Sequence, residues 1–186
     1  REVAFPDAAT FGAYRTAGGR MTRDDWRRHN VDRFVQALYD SVKRVKPWVK
    51  VGISPFGIWR PENPPSVQGF DAYAKLFADS RKWLAEGWVD YLAPQLYWPI
   101  DRVGQAYPDL LDWWVRQNIK GRQLWVGNYA ARVAGTSGSG APWPASEIVT
   151  QITLTRDEPG ASGNILFSMG ALMSDPDSLD ERLLAG

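Results

Sequence analysis

Apolar positions along this chain follow two alternating rhythms. From Trp26 the sequence repeats at helical spacing through Val31, Phe34, Val35, Leu38, Tyr39 and Val42, which predicts a helix to about Val45. Thr22 reads as its N-cap, Asp24 and Asp25 fall in the first turn, and Pro47 stops it. Further helical stretches are predicted over 70–88, 107–118, 145–156, with Ser146 a candidate cap, and 177–184. Between them lie short apolar runs at 49–55, 90–97, 123–129 and 164–169, the length of buried strands. Residues 1–22 show no clear period and read as a loop. The proline-rich stretch from Pro55 to Pro65 and the Gly/Ser run from Gly135 to Gly140 read as loops too.

Four strands, each separated by a helix and without hairpin signals, predict an α/β fold with parallel strands joined by crossover helices. The turn after the first strand, Phe56-Gly57-Ile58-Trp59, lacks the glycine spacing of a dinucleotide fold and is too bulky to cradle a phosphate. The pattern fits a (β/α)8 barrel better, in which polar and aromatic residues at the C-terminal strand ends build the site. Only four β/α units are present in 186 residues, against ~250 residues for a typical barrel. The expectation is one partial domain over 1–186, the C-terminal half of a TIM barrel. Its two open parallel edges invite self-association or cover by further chain.

Each strand ends in rings and hydrogen-bonding groups. Strand alternation puts Ala93, Gln95 and Tyr97 on one face, toward the barrel interior, and Leu92, Pro94 and Leu96 on the other, toward helices. Candidate substrate-binding residues are Phe56, Trp59, Arg60, Gln95, Tyr97, Trp98, Asn128, Tyr129 and Ser168. Trp59 and Trp98 follow strands, so they either stack on a sugar ring or pack the rim. Gln95 serves a ligand or an internal network, and Arg60 binds a ligand or pairs with Glu62. Asp101 is the acid best placed to face a pocket; its plain alternative is a solvated loop acid. Glycoside hydrolysis needs two carboxyl groups roughly 5–10 Å apart, and this chain offers one convincing candidate.

Composition narrows the field. Ten tryptophans are spread along the chain, and Trp83 and Trp88 fall in a helical pattern that suggests packing. A net charge of +1, from 22 basic and 21 acidic residues, gives no polyanion-binding footprint. The basic cluster at Arg20, Arg23, Arg27 and Arg28 is diluted by Asp24 and Asp25. No cysteine is present, which removes disulfides and thiolate metal sites. His29 alone cannot build a typical histidine metal site, and it argues against a Ser-His-Asp triad, so neither metal nor cofactor is implied. No apolar run is long enough to span a bilayer. A start at Arg1 rather than Met reads as a piece of something longer, with any export signal outside it.

The segments Trp26-Arg27-Arg28 with Asn30, Lys46-Pro47-Trp48 and Gly52-Ile53-Ser54-Pro55-Phe56-Gly57-Ile58-Trp59-Arg60-Pro61 resemble the glycosyl hydrolase-like family 10 domain. Asp79-Ser80-Arg81-Lys82-Trp83-Leu84, Pro94-Gln95-Leu96-Tyr97-Trp98-Pro99 and 163–169 continue the likeness in order. The resemblance implies a (β/α)8 barrel from bacterial exported or lipid-anchored proteins, with members that cleave peptide-free peptidoglycan strands. It implies that this chain carries strands 5 to 8, entered through the end of the loop after strand 4 and its helix. An acidic segment ends strand 4 in such proteins and is absent here, so the acid/base residues are expected upstream of Arg1. Carried over, strand 5 contributes Ser54, Phe56, Trp59 and Arg60, and strand 6 contributes Gln95, Tyr97, Trp98 and Asp101. Strand 7 contributes Asn128 and Tyr129, and strand 8 Ser168. Glu62 lies outside the family pattern. The expected activity is acid/base hydrolysis of cell-wall glycan, with this piece inactive alone. The alternative is a non-catalytic glycan-binding module on the same scaffold.

Overall fold

Thr22 starts the long helix as its spacing predicts: its side-chain oxygen accepts from the backbone N–H of Asp25, and the helix α2 runs Arg23–Val45. The computed structural model describes residues 5–135 and 141–185, so the Gly/Ser loop expected after Gly135 lies outside the described residues. A helix that the periodicity did not predict, α1 (Ala8–Thr16), precedes α2. It has no buried residue, which is why its sequence shows no apolar rhythm. Asp7 anchors it by accepting from Arg23 and Arg27, and Phe11 and Tyr14 pack on Trp26 at 5.4 and 6.0 Å. The Arg27 guanidinium, aided by Arg23, holds the Asp7 carboxyl well below the usual carboxylate range.

The strands are β1 (Gly52–Ile53), β2 (Tyr91–Leu92), β3 (Gln123–Asn128) and β4 (Gly163–Leu166), paired parallel in the order β1-β2-β3-β4. Chain order equals sheet order, with a helical crossover between neighbours. That is the arrangement of part of a (β/α)8 barrel. Single parallel bridges continue the sheet past the short strands, from Phe56 to Gln95 and from Gln95 to Gly127. Gly57 makes this possible, because a Cβ there would sit 2.2 Å from the Gln95 carbonyl oxygen.

The predicted helix over 70–88 is two helices, α3 (Ala72–Lys75) and α4 (Ser80–Glu86). Phe77 between them has φ +54°, and Asp71 and Asp79 cap the two starts by accepting from Ala74 N–H and Lys82 N–H. Two capping aspartates outweigh the apolar period that suggested one helix. Gly87 closes α4 in the left-handed region. The helix α5 (Tyr107–Gln117) lies as predicted; α6 (Ala145–Asp157) starts behind Pro144, so Ser146 is inside it rather than its cap. After β4 the chain enters α7 (Met169–Met173), which takes Met169 out of the strand, and ends in α8 (Leu179–Ala185).

The helices cover one face of the sheet. Leu92, Leu96, Leu124 and Val126 are buried against Leu110, Leu111 and Trp114 from α5 and Leu84 from α4. Trp114 also donates its indole N–H to the Gly57 carbonyl at 2.8 Å. On α2 the predicted apolar face divides. Val35 is buried and Asp32 accepts from Trp83 Nε1 and Lys82 Nζ, both at 2.7 Å, while Phe34 is 67% exposed on the outer side. No described helix is long and apolar enough to cross a membrane.

Truncating Trp114 to Ala removes a large buried ring and its hydrogen bond, and should cost about 3–5 kcal/mol in chemical denaturation. A loss below about 1 kcal/mol would contradict its place at the centre of the core. The isolated 186-residue chain, with two unpaired sheet edges, should grow in apparent mass with concentration in light scattering. A concentration-independent monomer would show that the edges are closed.

Candidate functional site

The face turned away from the helices carries the ligand candidates. Register aligns Phe56 with Gln95, Gln95 with Gly127 and Gly127 with Ile165, so these four form one row across it. Two residues further along each strand, alternation brings up Tyr97, Tyr129 and Phe167. Their rings meet: Tyr97 and Tyr129 stack at 4.7 Å between centroids, and Phe167 lies 5.8 and 6.1 Å from them. Ile165 is 42% exposed and Phe167 49%, high values for apolar side chains on a parallel sheet. Burial raises the Tyr97 phenol above its ordinary pKa, and the Tyr129 phenol adds to the effect. The Tyr97 phenol is therefore neutral at neutral pH.

Gly127 forms the floor of this platform. A Cβ there would sit 3.3 Å from the Tyr97 ring and from the Pro94 carbonyl oxygen. Gln95 is half-buried and donates its carboxamide N–H to Ser54, at 3.1 Å to the carbonyl and 3.3 Å to Oγ. Trp143, from the segment before α6, meets Tyr129 edge-on at 6.1 Å and extends the platform. A second aromatic group joins Phe56 to Phe70 and Trp98, edge-on at 5.3 and 5.5 Å. Trp98 is half-buried, with one side on the core. Asp101 is exposed in the turn that follows. Ser168 is half-buried between β4 and α7.

Three candidates sit elsewhere. Trp59 belongs to the core: it stacks on Trp113 at 5.8 Å, meets Tyr73 edge-on and donates its indole N–H to Asp79 at 2.9 Å. The Pro-rich loop folds back over α5, so its tryptophan turns inward. Arg60 pairs with Asp71 at 3.7 Å, rather than with Glu62, and lies over the Tyr73 ring at 4.7 Å. Asn128 is fully buried on the helix side of β3, one residue out of phase with Gly127. Its carboxamide N–H groups donate to Tyr107 Oη and Gln151 Oε1, and its oxygen accepts from Asn164. Burial pushes the Tyr107 phenol up, so it stays a neutral member of this network.

Sequence reasoning missed Phe167 and Trp143. Alternation along the fourth run could have found Phe167, since it shares phase with Ile165. Trp143 carries no strand or helix signal. A cavity of about 1050 Å³ opens on the other side of the molecule, between α2 and the α3–α4 turn, lined by Trp26, Phe34 and Phe77 among others. Its two acids are already engaged, Asp7 by Arg23 and Arg27, and Asp24 by Arg27 at 3.6 Å. The strand-end platform is therefore the stronger candidate for a ligand.

Comparison with known proteins gives consistent matches. A family model described as glycosyl hydrolase-like 10 matches residues 4–145. The glycosyl hydrolase YngK of Bacillus subtilis (strain 168) is 38% identical over 188 residues, covering 96% of this chain and 36% of that protein. The glycosyl hydrolase DigH of Escherichia coli (strain K12) is 34% identical over 164 residues, covering 83% of this chain and 37% of that protein. The chain thus spans little more than a third of the length of these curated relatives.

The two kinds of site residue should separate on mutation. Asn128→Ala leaves buried partners unsatisfied and should cost about 1–3 kcal/mol in denaturant unfolding. Tyr97→Ala, on the open face, should cost clearly less than Asn128→Ala in the same unfolding measurement. The reverse pattern would reassign both.

Proposed function

The chain belongs to the glycosyl hydrolase-like 10 family, and on that footing we propose that its aromatic platform holds a glycan during acid/base hydrolysis of a glycosidic bond. The observation that carries this reading is the cluster of Tyr97, Tyr129 and Phe167 on the uncovered face. Flat rings there offer apolar surfaces to the faces of pyranose rings, while the Tyr hydroxyls and the Gln95 carboxamide address hydroxyl or acetamido groups. Alternating faces and polar edges of this kind suit an N-acetylated cell-wall glycan, the peptide-free strands of peptidoglycan. Such a substrate goes with an exported bacterial protein.

The chemistry needs a proton donor and a second carboxylate. Asp101 is the candidate donor in this chain, following Trp98 in the loop after β2. The segments 54–60, 93–98, 124–129 and 165–169 contain no Asp or Glu at all. The second carboxylate therefore comes from outside these strand ends, and the 186-residue chain alone should bind glycan without turning it over. The same lack of acids favours the second reading, a glycan-binding module without catalysis.

Full-length protein incubated with peptide-free peptidoglycan or chito-oligosaccharides, with products read by mass spectrometry, separates these. Hydrolysis is the expected outcome, and Asp101→Asn should lower its rate more than tenfold. Near-unchanged turnover in that variant would leave Asp101 a loop acid. Binding without products would favour the module, and neither binding nor products would sink both.

A further inference from the structure

Helix α6 reaches across the top of the core to the loop that carries Trp98 and Asp101. Glu147 lies in its first turn, and one of its carboxylate oxygens, Oε1, accepts twice: from the Ile100 backbone N–H at 2.8 Å and from Gln151 Nε2 at 2.9 Å. Gln151 is fully buried, and its Nε2 donates a second bond to the Trp98 carbonyl at 3.1 Å. Its Oε1 accepts from Asn128 at 3.0 Å. One side-chain pair thus grips the backbone of the loop on both sides of Pro99 and ties it to the end of β3. The Pro99 carbonyl is in turn held by the Tyr107 N–H at the head of α5, at 3.3 Å.

This is an expensive way to build a merely covered loop. A buried Gln and a half-buried carboxylate both lose water, and they regain it only through these bonds. Charge-assisted bonds to a carboxylate are about twice as strong as neutral ones, and the α6 N-terminus favours the negative charge. The gain is geometric: segment 98–101 is fixed relative to Tyr97 and Tyr129 at the adjoining strand ends. We infer that Glu147 is a positioning residue, which acts through Gln151 and the Ile100 amide to set Trp98 and Asp101 against the aromatic platform. The inference builds on the glycan reading above, since it takes segment 98–101 to be part of the binding rim.

Hydrogen exchange read by mass spectrometry on the full-length protein tests it, alongside titration with chito-oligosaccharide. In Glu147→Ala, exchange in peptides covering 98–105 should accelerate at least tenfold, and exchange in those covering β3 should hold. Glycan affinity should fall several-fold. Glu147→Gln keeps an oxygen acceptor for both donors but loses the charge, and should recover a large part of both readouts. Unchanged exchange over 98–105 in Glu147→Ala would overturn the inference. So would an equal rise in β3, which would make Glu147 a general stabiliser, or faster loop exchange with affinity intact. Should the unaltered protein bind no glycan, the functional reading fails by itself, and the exchange comparison between the two variants still decides whether Glu147 holds the loop.

Discussion

A parallel sheet has two apolar faces and only the crossover helices to hide them. In this protein all the helices between strands lie on one side, and that single constraint arranges everything else. The covered side takes Leu92, Leu96, Leu124 and Val126 into one core with Trp114. The uncovered side keeps Gln95, Tyr97, Tyr129, Ile165 and Phe167, residues too polar, too flat or too large to be simple filler. The site is therefore a consequence of sheet phase: odd and even positions along each strand have different fates.

That phase also explains what could be read from sequence. The alternation of strands and helices, the parallel pairing and the helix-facing Leu92 and Leu96 followed directly from the rhythm of apolar residues. So did the platform position of Gln95 and Tyr97. Asn128 lay beyond this logic, because its residue type suggests a ligand contact while its phase puts it among the helices. A polar side chain at a helix-facing position needs partners, and Tyr107, Gln151 and Asn164 supply them. Trp59 misled for a related reason: a loop residue has no phase at all, and only its stacking on Trp113 and its bond to Asp79 reveal it as core. The short helix α1 was invisible because charge and rings at its surface, not burial, hold it in place.

Membership of the glycosyl hydrolase-like 10 family and the aromatic rim are the two supports of the proposed glycan reading. They bear on different questions. The family speaks to ancestry and to the class of chemistry. The rim speaks to what these strand ends offer a ligand: flat rings and hydrogen-bonding groups, with the buried polar network of Asn128, Tyr107 and Gln151 on the opposite side of the sheet.

Gly57 shows how narrow some of that tuning is. Its missing side chain leaves just enough room for the Gln95 carbonyl and the Trp98 ring, and its own carbonyl receives the Trp114 indole. Core, sheet and rim thus converge on one residue that has no side chain to vary. The consequence is a sharp asymmetry: rings around the rim have room to change, whereas any side chain at this point would collide with a backbone oxygen of the neighbouring strand.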